Sequence, residues 1–167
     1  MVEDSGRDDG AVVRGIRRLM LVVLLLGLLG TGADLLLLEH YEDAWQAPPL
    51  VLIAIALVMA AWLLVRSAAI GWTAVLAFRI IMASFVCAGL LGVLLHGSGN
   101  REFQTEIDPT LTGWPLLVKV LTAKAPPALA PGVMVQLGLL GFLYTYRHPA
   151  LTAPRRASGP ASTGAQR

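Results

Sequence analysis

Two groups of polar residues in this chain have the types and spacing to do chemistry. The first is the run Glu39-His40-Tyr41-Glu42-Asp43, with His96 expected at the same boundary. If the preceding helix continues past Leu38, Glu39, Glu42 and Asp43 share one face and His40 meets Asp43 at i,i+3. Imidazoles and carboxylates are zinc donors, so Glu39, His40, Asp43 and His96 form a candidate metal set. Two histidines alone could hold a haem axially. The spacing demands neither: there is no His-x-x-x-His pair, and the lone Cys87 lies inside an apolar run. A buried small hydrophobe is the expected role of that cysteine. Solvated helix ends are the plainer account of the whole cluster.

The second group is intramembrane: Asp34, Arg79 and Gln136, each inside a long apolar run. Polar groups in a span are costly and mark functional candidates. At about 1.5 Å of rise per residue, the Asp34 and Arg79 backbones differ in depth by roughly 10 Å. Arginine is long enough to snorkel, so an ion pair between them is allowed but not implied. Arg79 reaching the inner headgroups and Asp34 reaching outer water is the favoured account; a proton or ion relay is the sharper one. Thr31, Asp34 and Gln136 could line an outward-facing cavity, or form an interhelical hydrogen-bond cluster, which is favoured.

The elements that must position these residues are apolar helices. Of 167 residues, 56% are hydrophobic and 14% charged, and the mean hydropathy is +0.67. Soluble domains are about 45–50% apolar and about 25% charged. The apolar residues cluster into four runs, about 19–38, 49–65, 70–96 and 128–146. The first has about 20 residues, enough to cross a hydrocarbon core of about 30 Å. Pro48 and Pro49 open the second, and the short connection Arg66-Ser67-Ala68-Ala69 makes spans two and three an antiparallel hairpin. Gly97-Ser98-Gly99-Asn100 is expected to stop the third. Pro126, Pro127 and Pro131 crowd the start of the fourth, whose uninterrupted part is short for a span. The fold expected is an all-α membrane protein, a four-transmembrane-helix bundle over residues 14–148. The flanking tails, 1–13 and 149–167, are expected to be disordered for lack of apolar periodicity.

Charge sets the orientation. Arg7, Arg14, Arg17 and Arg18 precede span one, Arg66 lies between spans two and three, and Arg147, Arg155, Arg156 and Arg167 follow span four. The opposite side keeps Arg101, Lys119 and Lys124. The positive-inside rule then puts both termini in the cytoplasm. Tyr41, Trp45 and Trp114 fall at the outer boundary and Trp72, Tyr144 and Tyr146 at the inner one, as interfacial aromatics do. Arg17-Arg18 followed by a run ending near Thr31-Gly32-Ala33 also resembles a signal peptide, but the run resumes at 35–38 and reaches full span length. The Arg-, Ala-, Leu- and Gly-rich composition points to a bacterial cytoplasmic membrane.

The outer loop 97–127 carries the one sizeable extramembrane element. Trp114 to Lys124 reads as a short helix with Leu117, Val120, Leu121 and Lys124 on one face, either lying in the interface or packed as a cover on the bundle. Gly-Leu-Leu-Gly occurs at 27–30, 89–92 and 138–141, and span three adds Ala83, Ser84, Cys87 and Ala88 at three- and four-residue spacing. Such small residues let helices approach closely in lipid, within the bundle or in a homo-oligomer. There is no phosphate loop, no His-Glu-x-x-His, no Gly-x-Ser-x-Gly and no basic run for nucleic acid. The partners expected are the lipid bilayer and a second protein. The leading expectation is a non-enzymatic accessory or structural subunit of a membrane assembly. The alternatives are a small carrier or channel using Asp34, Gln136 and Arg79, and a metal- or haem-binding redox protein using His40 and His96.

Overall fold

The computed structural model describes residues 2–44, 46–66, 70–124 and 127–152, with side chains from Gly10 onward. Trp45, the connection at 67–69, Pro126 and the tail residues Arg155, Arg156 and Arg167 lie outside them. The elements are α1 (Val2–Leu37), α2 (Ala47–Val65), α3 (Trp72–Ile107), α4 (Gly113–Leu121), α5 (Gly132–Thr145) and α6 (Pro149–Thr152). Among the described residues there is no strand.

Local chemistry sets the ends. Pro48 and Pro49 occupy the first turn of α2, where no N–H is needed. The Arg66 N–H closes that helix on the Trp62 carbonyl at 2.9 Å. α1 ends in a Schellman arrangement: the His40 N–H donates to Leu35 O at 2.9 Å and the Glu39 N–H to Leu36 O at 3.1 Å. Glu39 takes the left-handed conformation this cap needs, with φ 53°. That position is normally glycine, because a Cβ there costs about 1–2 kcal/mol.

The four apolar helices close a ring in which α1 packs on α2, α2 on α3, α3 on α5 and α5 on α1, while the backbones of the diagonal pairs stay apart. Consecutive helices around the ring run in opposite directions. The centre is apolar, built from Leu24 and Leu28 of α1, Ala56 and Ala60 of α2, Phe78, Met82 and Phe85 of α3, and Leu137 of α5. The outside is apolar too: Leu26 is 64% exposed, Val58 73% and Leu94 69%. Water would not tolerate such a surface over a whole bundle. Three helical stretches, Gly10–Leu37, α2 and α3, are long and apolar enough to cross a membrane. The expected fourth run forms a helix of 14 residues, about 21 Å long at 1.5 Å per residue. Just before it, i→i+3 backbone bonds join Ala130 to Pro127, Gly132 to Leu129, Val133 to Ala130 and Met134 to Pro131. These tighter turns rise about 2.0 Å per residue and extend the segment.

The α3–α5 seam is the tightest. A Cβ at Gly138 would stand 2.7 Å from Met82 O, and one at Gly89 2.8 Å from the Val135 amide nitrogen. The strings at 89–92 and 138–141 therefore serve packing inside the bundle. Of the string at 27–30, Gly27 meets the Leu137 side chain and Gly30 faces open space.

Several expectations need correction. The sequence 97–100 does not stop α3, which continues to Ile107. Ser98 Oγ donates back to Leu95 O at 2.9 Å and Asn100 is buried, its Nδ2 donating to Val120 O at 3.4 Å. Tertiary contact with α4 thus overrides the weak helix propensity of Gly-Ser-Gly-Asn. The expected helix in the outer loop is α4. It packs on the α3 extension through Val120, and Lys124 falls beyond its end. α1 reaches back to Val2, through residues expected to be a disordered tail; extending a formed helix adds one hydrogen bond per residue fixed. Residues 149–152 form α6 and touch α3. Cys87 is exposed on the outside of α3, not buried.

Candidate functional site

The two ends of the bundle hold its polar chemistry. At the end where α1 and α3 run out of apolar sequence, the Schellman cap turns His40 back toward α3. Its ring lies 6.3 Å from that of His96, at an interplanar angle of 56°. His96 Nδ1 lies 3.2 Å from the carbonyl oxygen of Pro127. In the Nδ1–H tautomer His96 donates this bond and leaves Nε2 with a free lone pair. One junction thus ties the end of α1, the middle of α3 and the segment before α5. Burial, and then the charge of His96, hold the His40 pKa below its usual value. A neutral His40 imidazole is therefore favoured at this junction near pH 7.

Of the candidate metal set, the structure brings His40 and His96 together but does not add Glu39 or Asp43. Both carboxylates are exposed, and among the described residues no three His, Cys, Asp or Glu side chains are grouped to hold a metal ion. Two imidazoles fall short of the four donors of a closed zinc site.

Asp34, Arg79 and Gln136 do not converge. All three are exposed on the outside of the ring. Asp34 and Arg79 belong to α1 and α3, a diagonal pair whose backbones stay apart. The Arg79 guanidinium lies over the Phe142 ring at 5.8 Å from its centroid, a cation–π contact. The buried polar side chains among the described residues are Asn100, Thr145 and His148, none of them in the middle of the bundle.

The opposite end has a second constellation. Arg17, two residues before the apolar run of α1, donates through Nη2 to Tyr146 O at 3.2 Å and Arg147 O at 3.0 Å. A helix C-terminus leaves its last carbonyls without partners, and a cation suits its dipole, so Arg17 caps α5 from the neighbouring helix. Arg147 has φ 48°, the left-handed turn that ends the segment. His148 follows, buried, with its ring 5.6 Å from that of Tyr144, and its Nδ1 accepts the Ala150 N–H at 3.2 Å. Burial, and then the nearby Arg17 charge, push the His148 pKa down. Tyr144 also meets Phe78 edge-on at 5.6 Å. Sequence reasoning missed Arg17, Asn100 and His148 as structural residues. The arginine was visible there as one of a charged group, and nothing in the spacing singled it out.

The fold defines a class: an all-helical bundle, apolar inside and out, with three helices long and apolar enough to cross a membrane. No protein-family model, curated protein or solved structure matches the chain.

Proposed function

We propose that the chain is a multi-pass membrane protein that serves as an accessory or structural subunit, docking a partner protein through the hairpin of α4 and the end of α3. Four segments cross the bilayer, α5 being lengthened by its preceding turns, and both termini are cytoplasmic. The charge pattern supports that orientation. Arg14, Arg17, Arg18, Arg66 and Arg147 gather at one end of the bundle, while Asp34, Glu39, Glu42 and Asp43 mark the other. The bacterial cytoplasmic membrane is the setting that the composition favours.

The observation that carries the docking reading is the hairpin itself. Past His96, α3 continues for about 16 Å at 1.5 Å per residue, and α4 folds back on it. Phe103, Ile107 and Trp114 are exposed there, at 58%, 63% and 73%. Aromatic anchors of this kind are enriched in interfaces.

Three measurements test the reading. Alkaline carbonate should leave the chain in the membrane pellet. In a Cys87→Ser background, a cysteine replacing Glu42 should react with an impermeant maleimide from outside the cell, and one replacing Thr152 only after lysis. Affinity purification should recover one stoichiometric partner that Phe103→Asp/Trp114→Ala loses. A lone, monodisperse monomer from native membranes would sink the accessory role.

A further inference from the structure

We propose that the groove between α1 and α5 at the arginine-rich end binds one anionic glycerophospholipid. Its phosphate is held by Arg17 and Arg147, and the upper part of its acyl chains lies along Met20 and Leu143. This rests on the reading above in one respect: that end of the bundle lies in the headgroup layer.

The groove has a volume of about 350 Å³, and its lining includes Ile16, Arg17, Met20, Leu143, Tyr146 and Arg147. Its polar rim is ordered before any ligand arrives. Arg17 is pinned by two carbonyls through Nη2, which leaves Nη1 and Nε to donate to an anion. A guanidinium fixed in this way loses little side-chain entropy on binding a phosphate. Arg147 follows directly on Tyr146, whose ring is exposed at the same level, as interfacial tyrosines are.

Charge complementarity selects an anion. The sequence has no carboxylate between Asp9 and Asp34, between Asp43 and Glu102, or after Asp108. On α1 the nearest carboxylate before Arg14, Arg17 and Arg18 is Asp9, five residues ahead of Arg14, and Arg66 and Arg147 have no Asp or Glu within twenty residues along the chain. Basic pockets between transmembrane helices on the cytoplasmic side hold anionic lipid headgroups. The apolar part of the lining selects the lipid over a free phosphate. Ile16 and Leu143 are largely exposed, and inorganic phosphate would leave them uncovered.

The test is native mass spectrometry and thermal unfolding of the full chain in mild detergent. The additives are phosphatidylglycerol, phosphatidylcholine or sodium phosphate. Phosphatidylglycerol should be retained as a single adduct and raise the melting temperature, and the other two should do neither. Arg147→Asn keeps a side chain that tolerates the left-handed turn and removes one charge. It should weaken phosphatidylglycerol binding about fivefold, the equivalent of ~1 kcal/mol per basic residue near an anionic surface. Arg101→Gln, at the opposite end, should bind like the parent. Equal retention of both lipids, equal binding by Arg147→Asn, or full stabilisation by sodium phosphate would each overturn the site. A chain that stays in the carbonate pellet yet gives one of those results loses this inference and keeps the membrane reading.

Discussion

The α3–α5 seam and the α1–α2 seam are both made by apolar helices running antiparallel, yet they are built differently. In the first, glycines let one backbone lie on another, and a Cβ at Gly138 or Gly89 would collide with main-chain atoms. In the second, the helices touch where Gly32 faces Ile53, then leave an apolar groove of about 420 Å³ that includes Leu29, Ala33, Leu36 and Leu50. Glycine content does not separate them, since α1 carries its own Gly-Leu-Leu-Gly. The use made of that string does: Gly30 faces nothing, while both glycines of the α5 string are buried against α3. A small-residue motif thus reports permission for close approach, and the partner helix decides whether it is used.

This contrast breaks most easily at Gly138. Gly138→Val should cost about 3 kcal/mol, the upper end of ordinary overpacking, because Met82 O cannot move out of a helix. Reversible unfolding in detergent would show it, and an unchanged midpoint would mean that the seam is looser than described. Acid is the next lever, and it acts at the end of the bundle where the turn after α1 brings His40 to α3. His40 has a folded-state pKa below its unfolded value, so it binds fewer protons folded than unfolded. Its contribution is whole above about pH 6.5 and is lost as pH falls through the lowered folded value. Hydrogen exchange over residues 38–44 should therefore accelerate on acidification while the glycine seam stays protected. His96→Gln should shrink the response. His148 contributes stability with the same sign at the other end, which His148→Gln would isolate.

Two smaller effects sharpen the comparison from the open side. Gly30→Ala adds a methyl group where there is room and should stabilise by about 0.5–1 kcal/mol through helix propensity alone. Ala33→Leu points into the α1–α2 groove and should change the unfolding free energy by no more than about 0.5 kcal/mol, as an unconstrained surface substitution does. A large loss there would show that the groove is closed by something other than solvent or lipid.

The order and approximate extent of the apolar segments were legible in the sequence, because long runs between prolines and charges are visible without a partner. So was the placing of His40 and His96 at one end of the bundle, which follows from two antiparallel crossings between them; the approach of their rings was not. The facing of Asp34, Arg79, Gln136 and Cys87 was not. A helix apolar on every side has no polar stripe to mark its outside, so periodicity carries no signal there. The end of α3 was misread for another reason. Gly-Ser-Gly-Asn is a breaker on local grounds, and only the burial of Asn100 against α4 shows why the helix goes on. Arg17 was seen only as an orienting charge, since its bonds to the carbonyls just past α5 span 129 and 130 residues of sequence.

The brevity of α5 bears on how the protein is made. A stretch of 14 helical residues led in by prolines offers the translocon far less than the roughly 20 apolar residues it accepts as a span. What α5 lacks in length it recovers in contact, because α3 presents a fitted surface along it. The ribosome delivers α3 first, so, on the proposal that α5 crosses the bilayer, the earlier helix can act as a template that draws the later one sideways into it. On this route a nascent chain with leucine at both Gly89 and Gly138 should fail during biogenesis, leaving its last segment on the outer side, where a cysteine replacing Thr152 would react with the impermeant maleimide without lysis.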